Sequence, residues 1–363
     1  MKRWMALAAA LALLVLVIAG CGSSSSTTSS EETTTEETTE ASGGGGKEAA
    51  STGKSIVYIS PVAAQPGQQQ INTGLQQSAK EIGWSEFVLD SALSAEKQVS
   101  NVEAAINKGV TAIASWTLDP NAVAGAYQQA QSKNIPVIGM NSVGSGVTAT
   151  VWWETQICEP GNPQQVSAEK IAELKPHAKT IVIGLEVAES TKEITDCFLR
   201  EAKKVGLDII NKTNNEADNA SGSQKVFEPL LTKYPEVEAV FNYNDESAMG
   251  VSAALLAGGK TIATVEKPEG VIVTGSNGDK DAIEAVEEGR LSWTWDPDNL
   301  ASGFAAMKLG SEAAEGKKPN SLIVKSILVD GETVGEYVPA EEREYTLSTI
   351  PAKEIKGEPE TAK

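Results

Sequence analysis

Short apolar runs alternate with helix-forming stretches along most of the chain, and this alternation limits the possible folds more than any other feature. Ser55–Ile59 (SIVYI) is typical of a buried strand, and Gln69–Ile82 carries apolar side chains at the spacing of one helical face. The pattern runs to Met140 and restarts at Thr180. Such alternation favours parallel sheets with right-handed crossovers and helices on both faces. We therefore predict an α/β protein with two doubly wound parallel-sheet lobes.

The charge balance and the rare residues exclude several classes of function. In 363 residues, 49 acidic side chains stand against 30 basic ones, which gives a formal net charge of −19. This excess argues against a nucleic-acid partner, whose phosphates require a Lys and Arg surface. A single histidine and three cysteines are too few for His-rich or four-thiolate zinc sites. No glycine-rich nucleotide motif follows a predicted strand, so no cofactor is expected.

The N-terminus has the pattern of an export signal. Lys2 and Arg3 precede an apolar run, Trp4–Ile18, that is shorter than the ~20 residues needed to span a bilayer. The run ends in Ile-Ala-Gly-Cys, which resembles the bacterial lipobox with Cys21 as the lipidated residue. We predict a signal peptide over residues 1–20 and an extracytoplasmic protein that is lipid-anchored to the cell membrane. A plain secretory signal with an incidental cysteine is the alternative.

A low-complexity segment follows the predicted signal. Residues 21–53 are rich in Ser, Thr, Glu and Gly, and no side chain after Cys21 is both apolar and larger than alanine. Such a segment cannot bury enough surface to offset its ordering entropy, so we predict a disordered tether. The folded body is expected to begin near Lys54.

The body lacks the arrangements of residues that catalysis requires. Nucleophilic catalysis needs a base close to its nucleophile, and the lone histidine, His177, follows a proline in a polar loop. Carboxylate pairs suited to glycoside hydrolysis can be found, but 49 acidic residues make chance pairs common. We therefore predict that the protein is not an enzyme.

Two cysteines remain in the body once Cys21 is assigned to the anchor. Cys158 and Cys197 belong to a chain that is predicted to be exported, where oxidation is favoured. We predict a disulfide between them. Two buried free thiols are the alternative.

Several stretches of the body carry motifs in a consistent order. Ala239–Gly250 reads AVFNYNDESAMG, an apolar strand followed by N-D-E-x-A-x-G. Gly109–Ile113 leads to an I-P-V-I strand at Ile135–Ile138, and Gly275–Gly278 reads G-S-N-G. Together these motifs resemble the type I periplasmic binding proteins, in the ribose-binding-protein branch that serves ABC sugar importers. The likeness covers nearly all of Ser55–Val329.

The resemblance implies two lobes that close around one solute and are joined by a three-strand hinge. The hinge crossings would lie near Asn141–Val143, Trp295–Asp296 and Val324–Ser326. The domain limits that follow are 54–142 plus 296–324 for the N-terminal lobe, 143–295 plus 325–350 for the C-terminal lobe, and 351–363 for a tail.

Polar residues follow the predicted strands, where ligands bind in open parallel sheets. The family register places Asn141, Asn244 and Asn277 at strand ends that face the cleft. Where sugar binders of the family carry Asn-Pro-Phe-Phe, this chain has the segment Gln65–Gln68 (QPGQ), so the stacking phenylalanines are absent. The predicted ligand-binding residues are Gln65, Gln68, Trp116, Asn141, Asn244, Asp245, Asn277 and Trp295.

Tryptophans are the candidates to replace the missing phenylalanines. Trp116 ends a predicted strand on the cleft side, and Trp295 flanks a predicted crossing. A tryptophan face can stack on the C–H face of a sugar or hold a cation. Trp152, Trp153 and Trp293 could line either the pocket or the core.

The resemblance implies a lipid-anchored substrate-binding protein of an ABC importer. It would capture a sugar, polyol or similar small polar solute, act as a monomer, and deliver the solute to the permease subunits. One alternative is an aromatic-cage binder of a small cationic or heterocyclic solute, with Asp245 or Glu154 as the counter-charge. Another is a ligand sensor that docks to a receptor kinase.

Overall fold

The computed structural model describes residues 53–264 and 267–359, so the predictions for the signal peptide, for Cys21 and for the tether before Gly53 fall outside the described residues. The strands are β1 (Ser55–Ser60), β2 (Ser85–Asp90), β3 (Ala112–Ser115), β4 (Val137–Met140), β5 (Ala149–Trp153), β6 (Lys179–Gly184), β7 (Asp208–Asn214), β8 (Ala239–Asn242), β9 (Ile272–Ser276), β10 (Trp293–Asp296), β11 (Ser321–Val324), β12 (Ile327–Asp330) and β13 (Ala352–Ile355). The α-helices are α1 (Pro66–Ile82), α2 (Ala95–Lys108), α3 (Pro120–Ser132), α4 (Pro163–Leu174), α5 (Glu189–Lys204), α6 (Ala220–Lys233), α7 (Asp245–Ala257), α8 (Lys280–Glu287) and α9 (Asn299–Ala314). Short 3-10 turns occupy Glu154–Gln156, Val334–Glu336 and Ala340–Glu342.

The strands form two sheets that are mostly parallel. The first sheet has the order β13-β11-β5-β4-β3-β1-β2, and the second has the order β12-β10-β9-β8-β6-β7. Only two strand pairs of the described sheets, β11–β13 and β10–β12, run antiparallel. The predicted fold class, two parallel-sheet α/β lobes, is confirmed.

Both faces of each sheet are covered, as their apolar sequences predict. In β1, Ile56 and Tyr58 belong to one buried apolar cluster, whereas Val57 and Ile59 belong to another. Successive side chains of a strand point to opposite faces, so a strand that is apolar at every position must be covered on both. The second sheet likewise lies between two buried clusters.

Local signals define where the helices begin and end. Asp119 caps α3, because its carboxylate accepts a hydrogen bond from the backbone N–H of Asn121 at 2.8 Å, and Pro120 occupies the first helical position. Gly83 ends α1 in the left-handed region, with φ of 71°. These caps place the start of each helix at the carboxyl end of the strand before it.

Two glycines allow α1 and α9 to pack closely, although α9 follows the second lobe in sequence. A Cβ at Gly74 would lie 2.1 Å from the carbonyl oxygen of Leu300, and a Cβ at Gly303 would lie 2.2 Å from that of Ile71. No side chain fits at either position. The contact fixes α9 to the first lobe.

The sheet pairing changes the predicted limits of the lobes. Within the described residues the chain crosses between the sheets four times, after β5, after β10, between β11 and β12, and between β12 and β13. The second and third crossings follow Asp296 and Val324. The first crossing follows Trp153 instead of lying near 141–143, because β5 pairs in parallel with β4. The segment expected to be a tail contains β13, which joins the first sheet beside β11.

Cys158 and Cys197 form a disulfide, with their Cα atoms 5.8 Å apart. The bond ties the segment between β5 and α4 to the middle of α5. The described part of the chain contains no helix that is long and apolar enough to cross a bilayer.

Candidate ligand-binding site

A cavity lies at the carboxyl ends of strands from both sheets. Loops after β1, β3 and β5 form one side, and loops after β6, β7, β8 and β9 form the other. Open parallel sheets bind ligands at this edge because the strand ends and helix starts converge there. The cavity is lined by Pro61, Val62, Gln65, Gly67, Gln68, Leu93, Trp116, Leu118, Trp153, Gln156, Leu185, Val187, Ala188, Thr191, Ile194, Asp218, Tyr243, Asn244 and Asn277.

Two tryptophans of the first lobe form the aromatic part of the lining. The rings of Trp116 and Trp153 meet edge to face, with centroids 4.6 Å apart and an interplanar angle of 78°. Nε1 of Trp116 donates to Oγ of Ser190 at 2.9 Å, and Nε1 of Trp153 donates to Oγ of Ser302 at 2.9 Å. Because both N–H groups are engaged, the indoles offer a ligand carbon and π surface rather than a hydrogen bond.

Asp218 joins the two sides of the cavity. Its carboxylate accepts hydrogen bonds from Nε2 of Gln65, from the phenol of Tyr243, and from Nδ2 of Asn244 at 2.9 Å. Gln65 belongs to the first lobe and the other residues to the second. Burial raises the pKa of Asp218, and the three donated hydrogen bonds act in the opposite direction. The lobes are therefore linked directly across the cavity.

The other predicted amides of the cavity are held by hydrogen bonds of their own. Oε1 of Gln68 accepts from the Tyr58 phenol. Asn244 caps α7, where its Oδ1 accepts from the backbone N–H of Ser247 at 3.0 Å. Nδ2 of Asn277 donates to Oε2 of Glu246 at 3.2 Å. These contacts fix the orientation of each amide before any ligand is bound.

A group of buried carboxyls lies behind Asn277. Burial, with a smaller contribution from neighbouring carboxylates, raises the pKa of Asp245 to about 7 and that of Glu246 to about 8. Burial also raises the pKa of Asp279 well above its ordinary value. Glu246 therefore holds a proton at neutral pH, and the wall behind Asn277 carries less negative charge than its sequence suggests.

Cations are absent from the lining. Among the described residues that line the cavity, no Lys, Arg or His is present, and Asp218 is the only carboxylate. An anionic ligand would have no counter-charge there, so the lining suits a neutral solute with an apolar face.

Five of the eight predicted ligand-binding residues line this cavity: Gln65, Gln68, Trp116, Asn244 and Asn277. The structure places the other three, Asn141, Asp245 and Trp295, outside it. Oδ1 of Asn141 accepts from the backbone N–H of Trp153 at 2.6 Å, so this amide orders the end of β5. Asp245 accepts from the Thr294 hydroxyl at 2.6 Å and from the backbone N–H of Asp279 at 2.9 Å.

Strand alternation explains the position of the remaining tryptophans. Nε1 of Trp295 donates to Oγ of Ser167 in α4 at 2.9 Å, and Nε1 of Trp293 lies 3.3 Å from the same atom. Residues two apart in a strand share a face, and this face of β10 packs against α4. In β5 the same rule separates Trp153, which lines the cavity, from Trp152, which does not.

Fourteen of the nineteen lining residues were not among the predicted ligand-binding residues, and those with aromatic or polar side chains are Trp153, Gln156, Thr191, Asp218 and Tyr243. Asp218 and Tyr243 follow β7 and β8, so the rule that ligands bind after parallel strands could have found them. Gln156 follows β5, and its position depends on a strand that the sequence analysis placed in the wrong lobe.

Among the described residues, no group of potential metal ligands lies at the cavity. The potential ligand group found in the described residues consists of Cys158, Cys197 and Glu201. Both sulfurs are consumed by the disulfide, and Glu201 pairs with Arg200 and Lys204. This group therefore has no thiolate to offer a metal.

Comparison with known proteins identifies relatives of the same architecture. The ribose import binding protein RbsB of Bacillus subtilis (strain 168) is 28% identical over 256 residues, which is 70% of this chain and 79% of that protein. The Caulobacter myo-inositol binding protein, solved with myo-inositol, has a TM-score of 0.70 at 20% identity and covers 82% of this chain and 100% of its own. An ABC transporter periplasmic solute binding protein from Actinobacillus succinogenes 130z, solved with D-allose, has a TM-score of 0.69 at 21% identity and covers 78% of this chain and 100% of its own.

The two structural likenesses show a shared fold. The family match is more specific, since the pattern described as the periplasmic binding protein domain covers residues 56–318, well over half of the sequence. The chain belongs to the periplasmic binding protein domain family.

Proposed function

We propose that this protein is the extracytoplasmic substrate-binding protein of an ABC importer and that it captures a neutral sugar or polyol between its two lobes. The observation that carries the proposal is the cavity itself, which is bounded by both lobes, lined by two tryptophans and several oriented amides, and free of cationic side chains among its described lining residues. Relatives named for ribose import, or solved with D-allose and myo-inositol, support this class of ligand.

We propose that the protein binds its solute and does not catalyse a reaction on it. His177 is exposed, lies outside the cavity, and has its Nδ1 atom 3.0 Å from the carbonyl oxygen of Gly206. The described lining residues include no Ser, Cys, Lys or His. Closure of the lobes on a solute would shift the population from open to closed, and the closed form would be the one that a permease recognises.

The aromatic-cage alternative receives less support from the contacts. Its proposed counter-charges were Asp245 and Glu154, and neither lines the cavity. Oε2 of Glu154 accepts from the backbone N–H of Ser326 at 3.0 Å, and Asp245 is fully buried at the start of α7. Asp218 is the remaining carboxylate, and three donors already occupy it.

Thermal-shift measurements test the class of ligand. D-ribose, D-allose, myo-inositol and glycerol form the neutral arm, ribose 5-phosphate and glucuronate the anionic arm, and choline and adenosine the alternative arm. A ligand at 100 times its Kd stabilises the folded state by about 2.7 kcal/mol, so a specific ligand gives a clear rise in Tm. We expect the rise within the neutral arm. A rise confined to choline or adenosine would replace the proposal with the aromatic-cage alternative.

We also propose that Cys21 carries a lipid that anchors the protein to the outer side of the cell membrane. The support is the short apolar run and the Ile-Ala-Gly-Cys sequence that ends it. Partition of expressed protein between detergent and water tests the anchor. The unchanged protein should enter the detergent phase and the Cys21→Ser variant the aqueous phase. Equal partition of the two would refute lipidation at this residue.

The transport role is separate from the sensor role and needs its own experiment. We propose the permease as the partner, with the binding protein acting as a monomer. Solute uptake by cells should stop when the protein is deleted and return when it is restored. Normal uptake, together with loss of a transcriptional response to the solute, would favour the receptor-kinase sensor.

A further inference from the structure

Among the described lining residues, Gln156 is the one whose side-chain amide has no hydrogen-bond partner at either end. It ends the 3-10 turn Glu154–Gln156, directly after β5 and at the first crossing between the sheets. The residue is 2% exposed and lines the cavity. Neither its Nε2 nor its Oε1 has a hydrogen-bond partner within residues 53–264 and 267–359.

The other amides of the lining differ from Gln156 in this respect. Nε2 of Gln65 donates to Asp218, and Oε1 of Gln68 accepts from the Tyr58 phenol. Asn244 uses both of its amide atoms, and Nδ2 of Asn277 donates to Glu246. Buried polar groups nearly always have a partner, because an unpaired amide loses its hydration without compensation. The contents of the cavity are the available source of such a partner.

A primary amide presents a donor and an acceptor side by side. A ligand that satisfies both ends of Gln156 must therefore place an acceptor next to a donor on one edge, and two adjacent hydroxyls on a ring do this. Apolar side chains such as Leu118, Leu185 and Ile194 line other parts of the cavity. These side chains suit contact with the C–H surface of a ligand ring, and they offer no partner for additional ligand hydroxyls.

We propose that Gln156 determines specificity by reading a pair of adjacent hydroxyls on a neutral sugar or cyclitol ring, with Nε2 donating to one hydroxyl oxygen and Oε1 accepting from the other. This inference rests on the proposed function and names the part of the ligand that the site selects. It also predicts that a ring lacking either hydroxyl binds weakly, whatever its other substituents.

Calorimetric titration of four proteins tests the role of Gln156. They are the unchanged protein, Gln156→Leu, Gln156→Glu and the control Gln164→Leu. Gln164 is an apt control because it is 3% exposed, its Oε1 also has no partner, and it does not line the cavity. The probes are D-ribose, D-allose and myo-inositol, and then the singly deoxygenated analogues of whichever binds best.

We expect Gln156→Leu to weaken binding of the best probe by about 5- to 150-fold, the loss expected for an unpaired buried hydrogen-bonding group. Gln164→Leu should bind as the unchanged protein does. Two of the deoxy analogues should bind the unchanged protein weakly, and Gln156→Leu should discriminate little against those two. Gln156→Glu replaces the donor with an acceptor, so it should lose discrimination at one hydroxyl and keep it at the other. The Gln156→Glu variant also allows the inference to be tested if Gln156→Leu does not fold.

The outcomes separate this inference from the proposed function. If the unchanged protein binds a probe and both Gln156 variants bind it equally well, the inference is wrong and the proposed function stands. If the variants weaken every deoxy analogue by the same factor, Gln156 has a structural role only, and the inference is again wrong. If the unchanged protein binds none of the neutral probes, the proposed function fails and the inference fails with it.

Discussion

At the scale of single residues, burial changes the protonation of carboxyl groups near the cavity. Glu246 lies in the first turn of α7 and is largely buried, with Asp218 and Asp245 as acidic neighbours. Burial raises its pKa first, and these neighbours raise it further. Its Oε2 accepts a hydrogen bond from Asn277, a lining residue of the cavity. The Glu246 carboxyl therefore supports the orientation of Asn277, which lines the cavity.

This arrangement predicts a dependence of stability on pH. The folded state holds the Glu246 proton to a pH of about 8, whereas the unfolded chain releases it near the ordinary value of 4.5. Because the pKa of this acid is higher in the folded state, proton binding stabilises the folded state fully when the pH is below the unfolded-state pKa. This stabilisation is lost as the pH rises toward the folded-state pKa. The free energy of unfolding should therefore fall by a few kcal/mol between pH 5 and pH 8.

Urea unfolding across this range checks the prediction. Glu246→Gln keeps an acceptor for Asn277 and removes the titration, so its profile should be flatter than that of the unchanged protein. Glu284→Gln, at an exposed position of α8, serves as the control and should keep the original slope. Parallel profiles for all three proteins would contradict the assignment to Glu246.

At the scale of elements, the C-terminal segment after β12 holds the second crossing in place. We call residues 331–351 the C-terminal strap. Arg343 in the strap forms buried ion pairs with Asp296 at 2.5 Å and with Asp298 at 3.2 Å. The Tyr337 phenol donates to Asp296 at 2.8 Å, and the Tyr345 phenol donates to Asp298 at 2.6 Å. The strap thus neutralises two carboxylates where the chain passes from β10 to α9.

Replacement of Arg343 by Met should destabilise the fold strongly. Removal of one partner from a buried ion pair leaves an uncompensated charge and costs about 3–5 kcal/mol. The loss should be largest at neutral pH and smaller in acid, because burial raises the pKa of Asp296 and its protonation removes an unpaired charge. Chemical denaturation at pH 7 and pH 5 measures both effects. Lys317→Met removes an exposed ion pair with Glu315 and should change little. Equal stability of the two variants would contradict a role for the strap.

The disulfide is a second connection between elements, and it makes its own prediction. The Cys158→Ser and Cys197→Ser double variant loses a link between residues with a sequence separation of 39. The chain-entropy estimate gives a loss of roughly 3–4 kcal/mol in unfolding free energy. Thermal melting of the unchanged protein with and without dithiothreitol measures the stabilisation that the disulfide provides. The reductant should lower the Tm of the unchanged protein and leave that of the double variant unaffected. Alkylation of either cysteine in unreduced, denatured protein would refute the bond.

At the scale of the whole molecule, hydrogen bonds link the lobes across the cavity. Gln65 of the first lobe donates to Asp218 of the second, and Trp116 of the first donates to Ser190 of the second at 2.9 Å. Near the hinge, Nδ2 of Asn299 donates to the carbonyl oxygen of Asn277 at 3.1 Å. These contacts favour a closed arrangement independently of any contact that a ligand makes.

Removal of two cross-cavity contacts should open the molecule in the absence of ligand. Each hydrogen bond contributes about 0.5–1.5 kcal/mol, so the Gln65→Ala and Ser190→Ala double variant should shift the equilibrium toward the open form by about 1–3 kcal/mol. Small-angle X-ray scattering should report a larger radius of gyration than for the unchanged protein. Gln128→Ala breaks a Gln–Ser bond within the first lobe, to Ser145, and provides the control. If the double variant scatters like this control, the contacts do not govern closure.

The sequence by itself determined the fold class, because apolar strands that alternate with helices can bury their faces in few other ways. It also located the cavity edge, since ligands bind after parallel strands, and Gln65, Gln68, Trp116, Asn244 and Asn277 do line the cavity. Local patterns in the sequence were sufficient for these two predictions, because each pattern depends on only a few neighbouring residues.

Only the tertiary structure decided which of these side chains reach the cavity. Trp295 faces α4 because strand register, not position in the sequence, sets its direction. Asn141 and Asp245 turn to backbone and hydroxyl partners that are distant in the chain. Pairing of β5 with β4 moved the first crossing and brought Gln156 to the site. Pairing, register and long-range hydrogen bonds depend on residues far apart in sequence, so local patterns do not contain them.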